Sequence, residues 1–284
     1  MAAVLAAQVA LPVHAQELEG KSPEEIVVSG VADQPERREK FATDVSTSYP
    51  STPLALYEPG DYCPGVVGLS ADRNRAIADR MRRVAGEAGM EPAEGDCRTS
   101  ALVLFADDRT DLLKRFRKMH PEYFLKLTDE TIDFQGRDES VMAWQLLARV
   151  DRNGVPVATD ENGVQIVAVT SGMTRLEAAS RPVVAMTVLL IERSAVSGLT
   201  TQQIADFALM RTIVDRAQSS LRADAMSTIL KVIDAPSGAE TPLSLTSWDL
   251  AYAKSRYAVN RWNYGPSQMA AIRTAMNRSA TSED

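Results

Sequence analysis

The densest run of apolar positions in this chain is Pro-Val-Val-Ala-Met-Thr-Val-Leu-Leu-Ile at residues 182–191. A continuous apolar run of this length predicts a buried strand. The chain then passes through residues 194–198 into a segment whose pattern predicts a helix from Thr200 to Arg216. We expect the other elements of the fold to pack around this strand and helix.

A helix, a strand and a second helix are predicted ahead of that segment. Ser70 can cap a helix that continues through Gly86 and places its apolar residues on one face. These apolar residues are Ile77, Met81, Val84 and Ala85, and the arginines expected to face solvent are Arg73, Arg75, Arg80, Arg82 and Arg83. A buried strand follows at residues 101–105, and Asp107-Asp108 can end it and cap a helix from Thr110 to Met119.

The apolar pattern changes after Glu139. The run at residues 142–150 meets Asn153-Gly154, and a second Asn-Gly pair at residues 162–163 precedes an apolar run at 164–169. Asn-Gly between apolar runs is a strong hairpin signal. Short helices are predicted at residues 121–134, and longer ones from Thr246 or Ser247 through Tyr257 and from Pro266 to Asn277. The pattern predicts an α+β fold, a single mixed-sheet domain with packed helices at residues 66–280.

The beginning of the chain differs from this pattern. Residues 1–15 are small and apolar, and Val13-His14-Ala15 has the small residues that a signal peptidase requires, although the usual basic start is missing. A buried N-terminal helix is the alternative. Residues 16–65 are rich in proline and lack periodicity, so we interpret them as an extended, flexible tether. A signal peptide would place the protein in the periplasm or outside the cell.

Composition excludes some partners. The chain has 284 residues and a formal net charge of −7, and its basic residues are scattered. Without a basic stripe that could neutralise a phosphate backbone, we expect no nucleic-acid partner. No segment after the signal peptide approaches the ~20 apolar residues of a membrane span.

If the protein is exported, its two cysteines are expected to form a disulfide. Cys63 and Cys97 are 34 positions apart around a predicted helix, and such a pair usually forms a disulfide in an oxidising compartment. The alternative is two buried thiols. Neither cysteine belongs to a CxxC motif, so zinc-ribbon and thioredoxin-like sites are not supported.

Counting histidines limits metal chemistry. The chain contains only His14 and His120, and His14 would be lost with the signal peptide. One histidine cannot provide the two imidazoles of the common zinc and iron centres. We therefore predict no metal site and no cofactor. His120 itself fits a capping or surface role better than that of a catalytic base.

Carboxylate and aromatic clusters leave two further candidates. Asp129 and Asp133 share a predicted helix face and could perform acid-base chemistry or bind calcium. Carboxylates at helix starts and turns are also favoured for local reasons, which is the simpler explanation. Trp248 is expected to pack inside the protein, with a ligand-facing aromatic patch near it as the alternative.

Three segments give the chain a family resemblance. They are residues 100–109 (SALVLFADDR), 198–208 (GLTTQQIADFA) and 245–257 (LTSWDLAYAKSRY). In these segments and in the order of its elements, the chain resembles a group of bacterial secreted zincin-like proteins of unknown function. In active zincins the helix after an edge strand carries His-Glu-x-x-His, with two metal ligands and a base. The resemblance places those ligand positions on Gln202 and Asp206 and the base position on Gln203.

Glutamine has no useful basicity, so the resemblance implies a degenerate relative without peptidase activity. We therefore expect an exported cell-envelope protein that is not an enzyme and binds a protein or small ligand. A hydrolase acting on peptide or envelope material is the alternative. A cleft shared by Asp129, Asp133, Asp206 and His120 would favour that hydrolase.

Overall fold

A four-stranded mixed sheet forms the centre of the molecule. The computed structural model describes residues 35–124, 140–159, 165–166, 177–214, 228–236 and 238–280. The strands are β1 (Pro64–Val67), β2 (Ala101–Ala106), β3 (Val141–Asp151), β4 (Ala158–Thr159), β5 (Gln165–Ile166) and β6 (Ser180–Glu192). The main sheet has the order β1-β2-β6-β3, in which β1, β2 and β6 are parallel and β3 is antiparallel to β6.

Helices cover the sheet. They are α1 (Pro35–Val45), α2 (Ala71–Glu87), α3 (Arg109–Met119), α4 (Thr201–Ile213), α5 (Ser247–Tyr257) and α6 (Gly265–Ala280). Short 3-10 turns occur at Pro121–Phe124, Arg193–Val196 and Ile229–Lys231. The architecture confirms the prediction of an α+β domain with one mixed sheet and packed helices.

The apolar run that dominates the sequence becomes β6, an interior strand that pairs on both sides. Val103 of β2 lies beside Leu189, and Ala143 of β3 pairs with the same residue from the opposite edge. Alternate residues of a strand point to opposite faces of a sheet. Leu189 therefore joins the core beneath α2 and α4, and Val188 joins the core beneath α3.

Several helices begin where the sequence predicts. Ser70 accepts a hydrogen bond from the Arg73 amide at the start of α2, and Asp108 caps α3 in the same way. Thr246 caps α5. Each cap satisfies an amide that has no partner inside its helix. The helix predicted from Thr200 to Arg216 begins at Thr201, after its Thr200 cap, and ends earlier, at Ile213.

The first predicted hairpin is present after β3. The Val157 amide donates to the Arg149 carbonyl at 2.9 Å, and Gly154 has the positive φ of 77° that an Asn-Gly turn requires. β4 and β5 form a second antiparallel pair. Residues 162–163, the second Asn-Gly pair, lie outside the described residues.

Residues 35–65 correct the predicted tether, because they belong to the domain. The helix α1 buries Phe41, Ala42 and Val45, and the chain after it buries Leu56 and Tyr57. Phe41 and Val45 are one helical turn apart, so they form a local apolar face that packs into the core. Residues 1–34 lie outside the described residues, so the signal peptide and the first part of the tether stay predictions.

The disulfide between Cys63 and Cys97 is confirmed. The two Cα atoms are 6.1 Å apart, within the range usual for a disulfide. The bond joins the chain just before β1 to the loop between α2 and β2. In the part of the chain that the structure describes, no helix has the length and apolar character to cross a membrane.

Candidate functional site

The helix α4 uses its motif residues to build the fold. Gln203 forms a capping box with Thr200: the Gln203 amide donates to Thr200 Oγ1, and Gln203 Oε1 accepts from the Thr200 amide. The other end of the same side chain donates to the Pro242 carbonyl at 2.9 Å. Gln202, one position earlier, is partly exposed. The carboxamide of Gln203 is thus engaged at both its oxygen and its nitrogen.

Asp206 is fully buried and pairs with a buried arginine. Nε and an Nη atom of Arg80 donate to the two oxygens of Asp206 at 2.7 and 2.8 Å, a bidentate pair. Ser244 and the Leu245 amide donate to Oδ2 as well. The expectation that Arg80 faces solvent is therefore wrong. Hydrogen bonds and a partner of opposite charge stabilise a buried carboxylate, and Arg80 supplies that partner from α2.

These contacts test whether the motif positions fit a zinc ion. The Asp206 carboxylate already accepts four hydrogen bonds, from Arg80, Ser244 and Leu245. If Asp206 coordinated a metal ion, its ion pair with Arg80 would be broken. Gln203 is held in its capping box, and glutamine is not a usual zinc ligand. The three positions do not fit a zinc site.

His120 lies on the other side of the sheet. It is the C-cap of α3, and its ring packs near Phe116 and Tyr123. Nδ1 is 3.1 Å from Oε1 of Glu122. A hydrogen bond from the Glu122 backbone amide is the largest cause that holds the pKa of Glu122 below its ordinary value; desolvation opposes it, and His120 lowers the pKa further. Phe116 belongs to the core on the α3 face, whereas α4 packs on the opposite face, so His120 and Asp206 do not share a cleft.

Of the other candidate residues, Trp248 is buried, and two lie outside the described residues. Trp248 is 1% exposed and packs near Phe41, with ring centroids 6.2 Å apart. The packing role expected of Trp248 is therefore what the structure gives, and a ligand-facing role is wrong. Asp129 and Asp133 lie outside the described residues, so their role stays a prediction.

A pocket that the sequence did not indicate lies between α1 and α6. The two helices run antiparallel, because Arg38 near the start of α1 donates to the Met276 carbonyl near the end of α6. Where α1 ends and α6 begins, the chain forms a half-open pocket of ≈ 320 Å³. We call it the α1–α6 pocket, and it is lined by Thr43, Ser46, Ser48, Pro266, Met269 and Arg273.

The floor of this pocket is polar and rests on a buried cation. Ser46 is 3% exposed, and its Oγ lies 2.5 Å from the hydroxyl of Tyr252. Arg256, itself 1% exposed, donates to the Tyr252 hydroxyl at 3.1 Å and to Ser46 Oγ at 3.5 Å. Positive charge is thus held directly behind the Ser46 hydroxyl.

The wall of the pocket carries a second cation. Arg273 is partly buried, and no hydrogen bond or ion pair joins its guanidinium to any residue that the structure describes. Ser48 is exposed and likewise has no hydrogen-bond partner among the described residues. Its Oγ lies close to the start of α6, since a Cβ added to Gly265 would come within 2.7 Å of it. A guanidinium and a hydroxyl are therefore available to a ligand.

The pocket residues carry no sequence signal of their own. Hydroxyl residues at the end of a helix and an arginine on the face of another are common on protein surfaces. Comparison with known proteins finds no matching family model, no matching curated protein and no matching solved structure.

Proposed function

We propose that the protein is an exported, non-catalytic binding protein of the cell envelope. The observation that supports this proposal most directly is the use of the α4 motif positions. Gln203 is held by its capping box and Asp206 by Arg80, so both side chains serve the stability of the fold. A residue committed to a buried bidentate ion pair is a poor metal ligand and a poor base.

Export is supported by the disulfide. Disulfides form and persist in oxidising compartments such as the periplasm and the extracellular space, and Cys63 is paired with Cys97. The apolar residues 1–15 fit a signal peptide. Binding is supported by the α1–α6 pocket, where the side chains of Arg273 and Ser48 have no hydrogen-bond partner among the described residues and lie beside an apolar wall.

The proposed relation to zincin-like proteins is that of a degenerate relative. In this chain α4 follows β6, which is an interior strand and not an edge strand, and carries Gln202, Gln203 and Asp206 at the positions of the catalytic motif. Such a relative would keep a helix in the place of the active-site helix and use its polar residues for packing. The rival hydrolase gains no support from His120, which lies on the opposite face of the sheet from α4.

The proposal is tested on protein purified from the periplasm or medium of cells that express the full-length chain, so that recovery there tests export. We expect substoichiometric zinc by elemental analysis after dialysis against a chelator, and a melting temperature that chelator leaves unchanged. A zinc ion bound with a Kd of about 1 nM would represent about 12 kcal/mol, and its removal would lower the melting temperature clearly.

Gln202→Ala provides the matched variant, because Gln202 occupies a motif position and is partly exposed. We expect the variant to fold as the parent does. One zinc per chain that survives dialysis, with peptide cleavage that Gln202→Ala abolishes, would overturn the proposal in favour of a metallohydrolase.

A further inference from the structure

We propose that the α1–α6 pocket binds a small organic anion, whose oxyanion head meets Arg273 and whose short apolar body lies on Pro266 and Met269. This inference rests on the proposed binding function and names the class of ligand. Carboxylate and phosphate share the chemistry that the pocket recognises, a planar or tetrahedral group of negatively charged oxygens.

The size of the pocket sets the size of the ligand. Its volume of ≈ 320 Å³ lies at the lower end of the range of small-molecule sites. A molecule of a few carbon atoms with one charged group fits this volume.

The charge of the pocket sets the sign of the ligand. Among the described residues that line it, only Arg273 is ionisable, and its guanidinium has no partner among them. The floor of the pocket is Ser46, which lies above the buried Arg256. Guanidinium groups bind carboxylate and phosphate through two parallel hydrogen bonds. The acidic residue next to the pocket wall, Asp44, is paired with Lys40 at 3.5 Å.

The helix ends do not decide the selectivity. α6 begins at the pocket with a positive partial charge, while α1 ends there with a negative one, so the two effects oppose each other. The net charge of −7 also repels anions at long range. Selectivity for an anion therefore depends on Arg273 and on the polar floor.

The apolar wall adds affinity for a ligand with a short carbon chain. Pro266 and Met269 lie on the same side of α6 as Arg273, at spacings of three and four residues. A ligand held by Arg273 at its charged end would therefore place its carbon chain against these two side chains. Each buried methylene should raise the affinity about fourfold.

The test is an NMR titration of the isotope-labelled full chain with inorganic phosphate, acetate, butyrate and the neutral butyramide. We expect saturable shifts of amides at residues 43–48 and 265–273 with an anion, tighter binding of butyrate than of acetate, and binding of butyramide about tenfold weaker than butyrate. Because acetate has almost no carbon chain, preference for phosphate over acetate would assign the head group as phosphate, and the reverse order would assign a carboxylate.

Arg273→Gln should weaken anion binding about tenfold. Arg273→Lys keeps the positive charge but loses the paired N–H donors of the guanidinium, so it should weaken binding less. The matched control is Arg83→Gln, which removes the same charge from an exposed position on α2. Thermal melts show whether each variant is folded. If Arg273→Gln does not fold, the comparison is made with Arg273→Lys.

Three outcomes would overturn the inference: no saturable shift with any anion at about 20 mM, equal binding of butyrate and butyramide, or an equal loss of affinity in Arg83→Gln and Arg273→Gln. Any of these, in a protein without stoichiometric zinc or cleavage, rejects the anionic ligand and leaves the proposed binding function in place. Stoichiometric zinc with cleavage rejects the proposed function whatever the titration shows.

Discussion

The buried ion pair between Arg80 and Asp206 joins three parts of the chain. Arg80 comes from α2, Asp206 from α4, and Ser244 before α5 bridges the two by hydrogen bonds of 3.0 and 2.8 Å. Removing both charges from water is costly, and the bidentate geometry offsets that cost. The pair therefore fixes how α2 and α4 pack, and either member alone would be a buried, uncompensated charge.

From this geometry we predict that Arg80→Ala lowers the free energy of unfolding by about 3–5 kcal/mol, because it leaves the Asp206 carboxylate buried without a counter-charge. Arg83→Ala, three residues later on the exposed side of the same helix, should change it by less than about 0.5 kcal/mol. Urea unfolding followed by circular dichroism measures both. Similar values for the two variants would show that the ion pair contributes nothing specific.

At the residue scale, the sequence could assign helix position but not charge pairing. The apolar face of α2 was predicted correctly, since Ile77, Met81, Val84 and Ala85 are buried. Arg80 was assigned to solvent because arginine is rarely buried. Its partner is 126 positions away, and no local pattern reveals a pairing over that distance.

At the scale of elements, the end of β1 is defined by its contact with β2. Gly68 follows β1 with φ 105°, and a Cβ at this position would clash with the Phe105 carbonyl oxygen. The Gly68 carbonyl also accepts a hydrogen bond from Arg193 at 2.7 Å. The turn from β1 into α2 therefore requires glycine for two reasons, its backbone conformation and the close approach of the next strand.

Gly60 allows the effect of backbone conformation to be measured apart from that of the close contact. It also has a positive φ, of 80°, but nothing lies within 4 Å of a Cβ added there. We predict that Gly60→Ala costs about 1–2 kcal/mol, the ordinary strain of the left-handed conformation. Gly68→Ala should cost about 1–3 kcal/mol more, because the added methyl overpacks the strand contact. Chemical unfolding of the two variants, side by side, gives the difference, and equal costs would contradict the clash.

Elements with a strong period and a clear cap could be predicted from the sequence. The strand β6 and the caps Ser70, Asp108 and Thr246 lie where their patterns place them. The helix α1 could not be predicted, because its 11 residues include six charged ones and only a short apolar face. Pro35 followed by Glu36 is a helix-start signal that the surrounding prolines obscured.

At the scale of the molecule, α1 closes one end of the core and forms one wall of the pocket. Phe41 lies edge-on to Tyr252, with centroids 5.8 Å apart, and Asn277 of α6 donates to the Glu39 carboxylate. The pocket residues at 43–48 and 266–273 are more than 200 positions apart and meet only through this packing. Because of that separation, no local pattern in the sequence indicates the site.

The packing of α1 can be tested against the alternative that this part of the chain is a flexible tether, as its sequence predicts. Phe41 is fully buried against Trp248 and Tyr252, so Phe41→Ala should lower the free energy of unfolding by about 3–5 kcal/mol. Glu36→Ala, an exposed change in the first turn, should have an effect of less than about 0.5 kcal/mol.

If α1 and the sheet form one cooperative unit, tryptophan fluorescence and far-UV circular dichroism should report the same urea midpoint as each other, in the parent and in each variant. An unchanged midpoint in Phe41→Ala, or a separate early transition in the parent, would mean that α1 is not part of the cooperative core and that the α1–α6 pocket opens independently of it.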